Sequence, residues 1–124
     1  MKGTVIMYGK NVWLIADGYM SDTTKGELVS HEAVCVLNLS GSDANINITV
    51  FFEDRDPIRN IKAVCKNERT NHIRLDKVVL DDGTVIPRNT PYALLVESDQ
   101  PIIVQVSRLD VTQPEYALMT TIAY

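Results

Sequence analysis

No apolar run in this chain is long enough to cross a bilayer. The longest, such as Val12–Ala16 and Ala33–Leu37, are five residues, and a membrane helix needs about twenty. Insertion into a membrane is therefore not expected. Met1-Lys2-Gly3 opens a mixed polar and apolar stretch rather than a continuous apolar leader, so the expected location is cytoplasmic. Cysteine is scarce. Cys35 and Cys65 stand apart inside apolar stretches, in no Cys-x-x-Cys or Cys/His spacing, and are expected to be reduced core thiols rather than a disulfide or metal pair. An excess of positive charge is also missing: 12 Lys and Arg face 16 Asp and Glu, for a net charge of −4. That balance counts against nonspecific nucleic-acid binding, although the basic residues could still cluster. Catalytic signatures are absent too. There is no G-x-S-x-G, H-E-x-x-H, P-loop or G-x-G-x-x-G, and with two histidines and scattered carboxylates no nucleophile or base stands out. Binding rather than catalysis is expected, with no cofactor and no metal.

Helical periodicity is the last absence; it appears nowhere over ten residues. A period of two is present instead, cut at short intervals by turn residues. Asn45–Asp54 shows it best: Ile46, Ile48, Val50 and Phe52 fall on one face, and Asn45, Asn47, Thr49, Phe51 and Glu53 on the other. Further strands are predicted at Thr4–Tyr8, Val12–Ala16, Glu32–Leu39, Ile58–Cys65, Asn71–Leu75, Ala93–Glu97, Ile102–Leu109 and Tyr116–Ala123. Asp82-Gly83 reads as a hairpin turn between Val78-Val79-Leu80 and Thr84-Val85-Ile86. The five prolines lie near run boundaries, where a missing ladder donor is tolerated. The predicted fold is all-β: an antiparallel, jelly-roll-like β-sandwich forming a single domain over residues 1–124. A chain of this length can bury roughly two-thirds of its unfolded surface. Asp17–Ser30 is the longest stretch without apolar rhythm and reads as a surface loop, a place where ligand contacts often sit.

Several polar residues could carry function. Thr70, His72 and Arg74 share one strand face by alternation, with Arg69 just outside. They make either a donor-rich site for anions or hydroxyls or an ordinary solvated sheet face. His31-Glu32 opens a strand after the long loop; the pair reads as a ligand-binding element or as a strand-opening His beside an exposed Glu. Adjacent strand side chains point to opposite faces, which counts against their sharing a metal. Arg108 and Asp110 close a strand, as a salt-bridged rim or as part of a site. Trp13, the only tryptophan, precedes Asp17; it fits a β core, or a sugar-like ligand that needs an aromatic plane beside a carboxylate.

In order along the chain, Trp13–Tyr19, Ser30–Asn38, Arg69–Arg74, Pro101–Gln105, Arg108–Asp110 and Thr120–Tyr124 together resemble the sensory rhodopsin transducer family. The resemblance implies a compact β-sandwich that assembles as a homotetramer. It implies a signalling role as a small-molecule sensor, for sugars or anionic metabolites. Alternatives it carries are an adaptor for a membrane receptor such as a sensory rhodopsin, and a DNA-binding regulator. The positions it would assign to ligand binding are Trp13, Asp17, His31, Glu32, Arg69, Thr70, His72, Arg74, Arg108 and Asp110.

Overall fold

The computed structural model describes residues 6–124. Within these residues there are seven antiparallel strands: β1 Lys10–Gly18, β2 His31–Asn38, β3 Ala44–Phe52, β4 Ile58–Cys65, β5 Arg69–Arg74, β6 Tyr92–Asp110 and β7 Ala117–Ile122. One 3-10 turn, Leu75–Lys77, follows β5. The all-β sandwich expected from the period-two pattern is present.

The architecture turns on β6. At 19 residues it is far longer than an ordinary strand, and it serves both layers. Its first half lies between β1 and β3, and its second half between β2 and β7. Beyond β3 lies β4 in one layer, and beyond β2 lies β5 in the other. Pro101 stands where β6 changes neighbours: pairing with β3 ends at Ser98 and pairing with β2 begins at Ile103. A missing backbone donor costs little there. The two runs predicted as separate strands, Ala93–Glu97 and Ile102–Leu109, are therefore one strand through a proline.

The layers meet along both sides. Leu14 and Tyr124 exchange backbone hydrogen bonds of 2.6 and 2.9 Å, joining β1 to the chain end. On the other side, Asn71 on β5 donates its side-chain amide to the Val64 carbonyl on β4 at 2.8 Å. Between the layers sit the alternating side chains of each strand: Val34 and Val36, Ile46, Ile48 and Val50, Leu94 and Val96, and Ile102, Val104 and Val106, all buried. Phe52 packs on this core and Phe51 lies half-buried on the opposite face.

Three expectations are corrected. Of the predicted Thr4–Tyr8 strand, Thr4 and Val5 lie outside the described residues, and Ile6–Tyr8 are not in a strand. The Asp82-Gly83 turn forms, with Leu80 N–H donating to Thr84 O at 2.9 Å. Its arms, however, join neither sheet; Val78 and Leu80 instead pack on the core from an irregular segment. The two thiols are free, but only Cys65 is buried; Cys35 is half-buried, with Sγ 3.5 Å from Ser107 Oγ.

Candidate functional site

Alternation along β2 places Glu32 on the same side as Val34 and Val36, facing the interior, and its side chain is buried. Of the two readings of the His31-Glu32 pair, the one with an exposed Glu32 is thus ruled out. A buried carboxylate must be paired and hydrogen-bonded, and three elements supply its partners. Arg108, its register partner on β6, donates from Nε to Oε2 at 2.8 Å. The Tyr92 hydroxyl, at the other end of β6, donates to Oε1. Tyr19 N–H, in the loop after β1, donates to the same oxygen at 3.1 Å. Arg108 also reaches Asp17, with Nη2 3.5 Å from Oδ1. Burial pushes the Tyr92 hydroxyl pKa far above its ordinary value, and the Glu32 carboxylate adds to the rise. Tyr92 therefore stays a proton donor to Glu32.

A second ionic group continues the first. Asp76, in the 3-10 turn, has a buried side chain and accepts two hydrogen bonds from Arg74, at 2.7 and 2.8 Å. Burial pushes its pKa up, but the Arg74 hydrogen bonds and charge, helped by His31, hold it below the usual value of 3.8. Arg88 stands between the two groups. It donates from Nη1 to the Ser21 and Ser30 carbonyls at 2.8 Å each, and Nη2 lies 4.0 Å from Asp76 Oδ2. His31 Nδ1 lies 3.0 Å from the Val29 carbonyl, which can only accept, so the proton of that bond is on Nδ1. These charged groups fasten the Tyr19–Ser30 loop onto one end of the sandwich.

The sequence candidates fall in three places. Asp17, Glu32, Arg108 and His31 gather at the loop end. Asp110 is there too, accepting from Thr112 N–H at 2.8 Å. Thr70, His72 and Arg74 do share the outer face of β5, as alternation required, but they do not form an open set of donors. Thr70 Oγ1 donates to the Val36 carbonyl at 2.9 Å, Arg74 is held by Asp76, and exposed Arg69 donates to the Glu68 carbonyl at 3.0 Å. His72 is exposed, opposite Cys35 in the ladder. Trp13 stands apart from both groups. It faces Val96 on β6, its Nε1 donates to the Ile102 carbonyl at 2.9 Å, and Lys10 Nζ lies 4.5 Å from its ring centre.

Tyr92, Asp76 and Arg88 were not among the candidates. They lie at a strand end, in the 3-10 turn and in irregular chain, where a period of two carries no signal. The cleft bounded by Tyr19, Ser30, Arg108 and Asp110 is about 30 Å3, about the space of one water molecule. A larger groove of about 780 Å3 lies elsewhere, along β4. Among the described residues no cluster of three or more His, Cys, Asp and Glu is arranged to hold a metal ion, and no helix is long and apolar enough to cross a membrane.

A further feature is on the outside. Leu14 faces Tyr124 through their backbone pair, and alternation brings Val12 on one side, and Ile122 and Leu118 on the other, onto the same surface. Exposure is 47% for Val12, 53% for Leu14, 76% for Tyr124, 69% for Ile122 and 73% for Leu118. Residues 8–124, including this band and every ionic partner above, match the family described as the Anabaena sensory rhodopsin transducer. The chain belongs to the sensory rhodopsin transducer family. Two solved structures are similar. The crystal structure of Thermotoga maritima 1070 is 40% identical, covering 95% of this chain and 96% of that one with a TM-score of 0.85. The Anabaena sensory rhodopsin transducer is 35% identical, covering 89% of this chain and 96% of that one with a TM-score of 0.74. Among curated proteins none matches the chain. As a member of the transducer family it has a signalling role.

Proposed function

We propose that the chain is a self-assembling signalling adaptor, one domain that works by binding on the cytoplasmic side of a membrane and couples a receptor such as a sensory rhodopsin to a downstream component. The observation that carries this reading is the apolar band Val12–Leu14–Tyr124–Ile122–Leu118. Five large apolar side chains, each about half exposed or more, share one surface; such contiguous patches mark interaction sites. The family resemblance implies four copies, and burying this band between copies would remove it from water. In this reading the buried ionic network is structural. It fixes the loop that caps one end of the sandwich and leaves the outer faces free for partners. Co-purification tests the coupling: a detergent-solubilised sensory rhodopsin is mixed with the tagged chain and captured through the tag. Stoichiometric retention of the rhodopsin is expected. Its absence, with an unrelated membrane protein as control, removes the receptor from this reading.

A second reading has one observation in its favour. Asp17, His31, Glu32, Arg108 and Asp110 gather from three segments at one end, where a small hydroxylated or anionic metabolite could replace some of their mutual contacts if the Tyr19–Ser30 loop lifted. The cleft as it stands is about 30 Å3, far below an ordinary ligand pocket, so the adaptor reading is preferred. Thermal-shift screening of sugars and small anions decides it, because a ligand that binds only the folded state raises the melting temperature. No shift with any compound would end the sensor reading.

A further inference from the structure

β4 is the last strand of its layer, and among the described residues no strand pairs with its outer edge. Two side-chain contacts show which backbone groups face outward. Asn45 N–H on β3 turns away from β4 to the Asp99 carboxylate, at 2.8 Å. The Val64 carbonyl on β4 turns away from β3 to Asn71, also at 2.8 Å. Asn45 and Val64 are register partners, so theirs is a pair without mutual hydrogen bonds. Such pairs recur every second residue in an antiparallel ladder. The next is Asn47 with Lys62, and the N–H and C=O of Lys62 therefore both point outward. Among the described residues neither has a hydrogen-bond partner.

Along this edge runs the groove of about 780 Å3, with Lys62 among its lining residues. Its far wall is the irregular segment after the 3-10 turn. There Val78 and Leu80 pack on the core while Val79, between them, is 65% exposed. Val78 has an extended backbone, φ −68° and ψ 124°. The backbone of Val79 also lacks a partner among the described residues. Residues with unpaired peptide groups thus stand on both walls of the slot, Lys62 on one and Val79 on the other. A bulge bounds its near end, where the β3–β4 register shifts and Asn60 adopts φ 65°. Arg59, Lys62 and Lys77 line it, against Asp81 and Asp82 at the turn. One Asp82 carboxylate oxygen accepts from Thr84 N–H at 3.0 Å, and the lining holds three basic side chains against two acidic ones.

We propose that this slot binds one extended, carboxylate-rich segment of a partner protein by strand addition to β4. Main-chain hydrogen bonds to Lys62 and the Val79 segment would hold the peptide, and the three basic side chains would select acidic residues in it. An edge lysine and a bulge also discourage pairing with neutral strands, so the same features reject the wrong occupant. The inference rests on the adaptor reading for the existence of a protein partner, but the site is separate from the Val12–Tyr124 band.

The test is an NMR titration of the full chain with three synthetic peptides: one alternating Val and Glu, one alternating Val and Lys, and the Val/Glu peptide with N-methylated backbone amides. Shifts centred on the amides of Lys62 and Val79 are expected with the first peptide alone. Binding should weaken by about tenfold or more in the triple variant Arg59→Glu, Lys62→Glu, Lys77→Glu, and in Lys62→Pro, which removes one outward donor. If Lys62→Pro fails to fold, the triple variant decides. No shift with the Val/Glu peptide overturns the proposal, as does equal binding of the lysine or N-methylated peptide. A change of assembly mass in either folded variant would assign the edge to a second copy and overturn it as well. If a sensory rhodopsin is still captured while every peptide fails, the slot is wrong and the adaptor reading stands.

Discussion

Glu32 and Arg108 face each other across the β2–β6 ladder and meet at 2.8 Å, on the inward side of the sandwich. Their nearest inward neighbours are valines, Val34 and Val36 on β2 and Val104 and Val106 on β6. The ion pair is where the apolar interior ends and the capping loop begins. Removing one partner leaves a buried, uncompensated charge, so Glu32→Gln is expected to cost about 3 kcal/mol or more. The double variant Glu32→Gln, Arg108→Leu should cost less than the sum of the single changes, with a coupling of about 1 kcal/mol or more. Denaturant unfolding of the four proteins gives the cycle. Additive costs would mean that the two side chains do not depend on each other.

Asp76 gives a pH signature. Its folded pKa lies below the ordinary 3.8 because of Arg74 and His31, despite burial. The stabilisation it contributes is therefore complete above the unfolded value and is lost as pH falls through the folded value. Asp76→Asn should destabilise by about 2 kcal/mol from about pH 5 upward, less than a fully buried pair because Arg74 is partly exposed. The gap to wild type should close in more acidic solution. A gap that persisted unchanged at acid pH would show that the carboxylate charge is not what Arg74 holds.

Gly18 is required for close approach rather than for an unusual backbone. A Cβ added there would lie 2.8 Å from Tyr92 Cζ and nearer still to two other ring carbons. Gly18→Ala must displace the ring whose hydroxyl holds Glu32. A loss of about 1–3 kcal/mol is expected. Tyr92→Phe in the same background should then cost less than it does alone, because the hydroxyl is already out of place. Calorimetric melting of the three variants measures both effects.

The period-two pattern carried most of the fold. Ile58–Cys65 was located to the residue, and the inward set Ile46, Ile48 and Val50 is buried as alternation demanded. The same parity rule places Glu32 beside Val34 and Val36, so its burial was legible; its charge made an exposed position look more natural. Pro101 split β6 in the sequence because a proline usually ends a strand, whereas here it falls at the change of neighbours. Tyr92, Asp76 and Arg88 could not be found from spacing. Tyr92 and Arg88 make their contacts with segments far away in sequence, and Asp76, though only two residues from Arg74, lies in the turn past the strand, where alternation no longer holds. The β4 slot was equally hidden, since an edge is defined by the order of strands and not by any one of them.

The band made by Val12, Leu14, Leu118, Ile122 and Tyr124 is central, and its most direct test is the mass of the assembly in solution. Light scattering at micromolar concentration should return four times the 13.9 kDa chain mass. The variant Leu118→Glu, Ile122→Glu, altered at two exposed positions, should keep its fold and fall to the monomer mass. A wild-type chain that is already monomeric, or a double variant that assembles as well as the wild type, would contradict the role given to this surface.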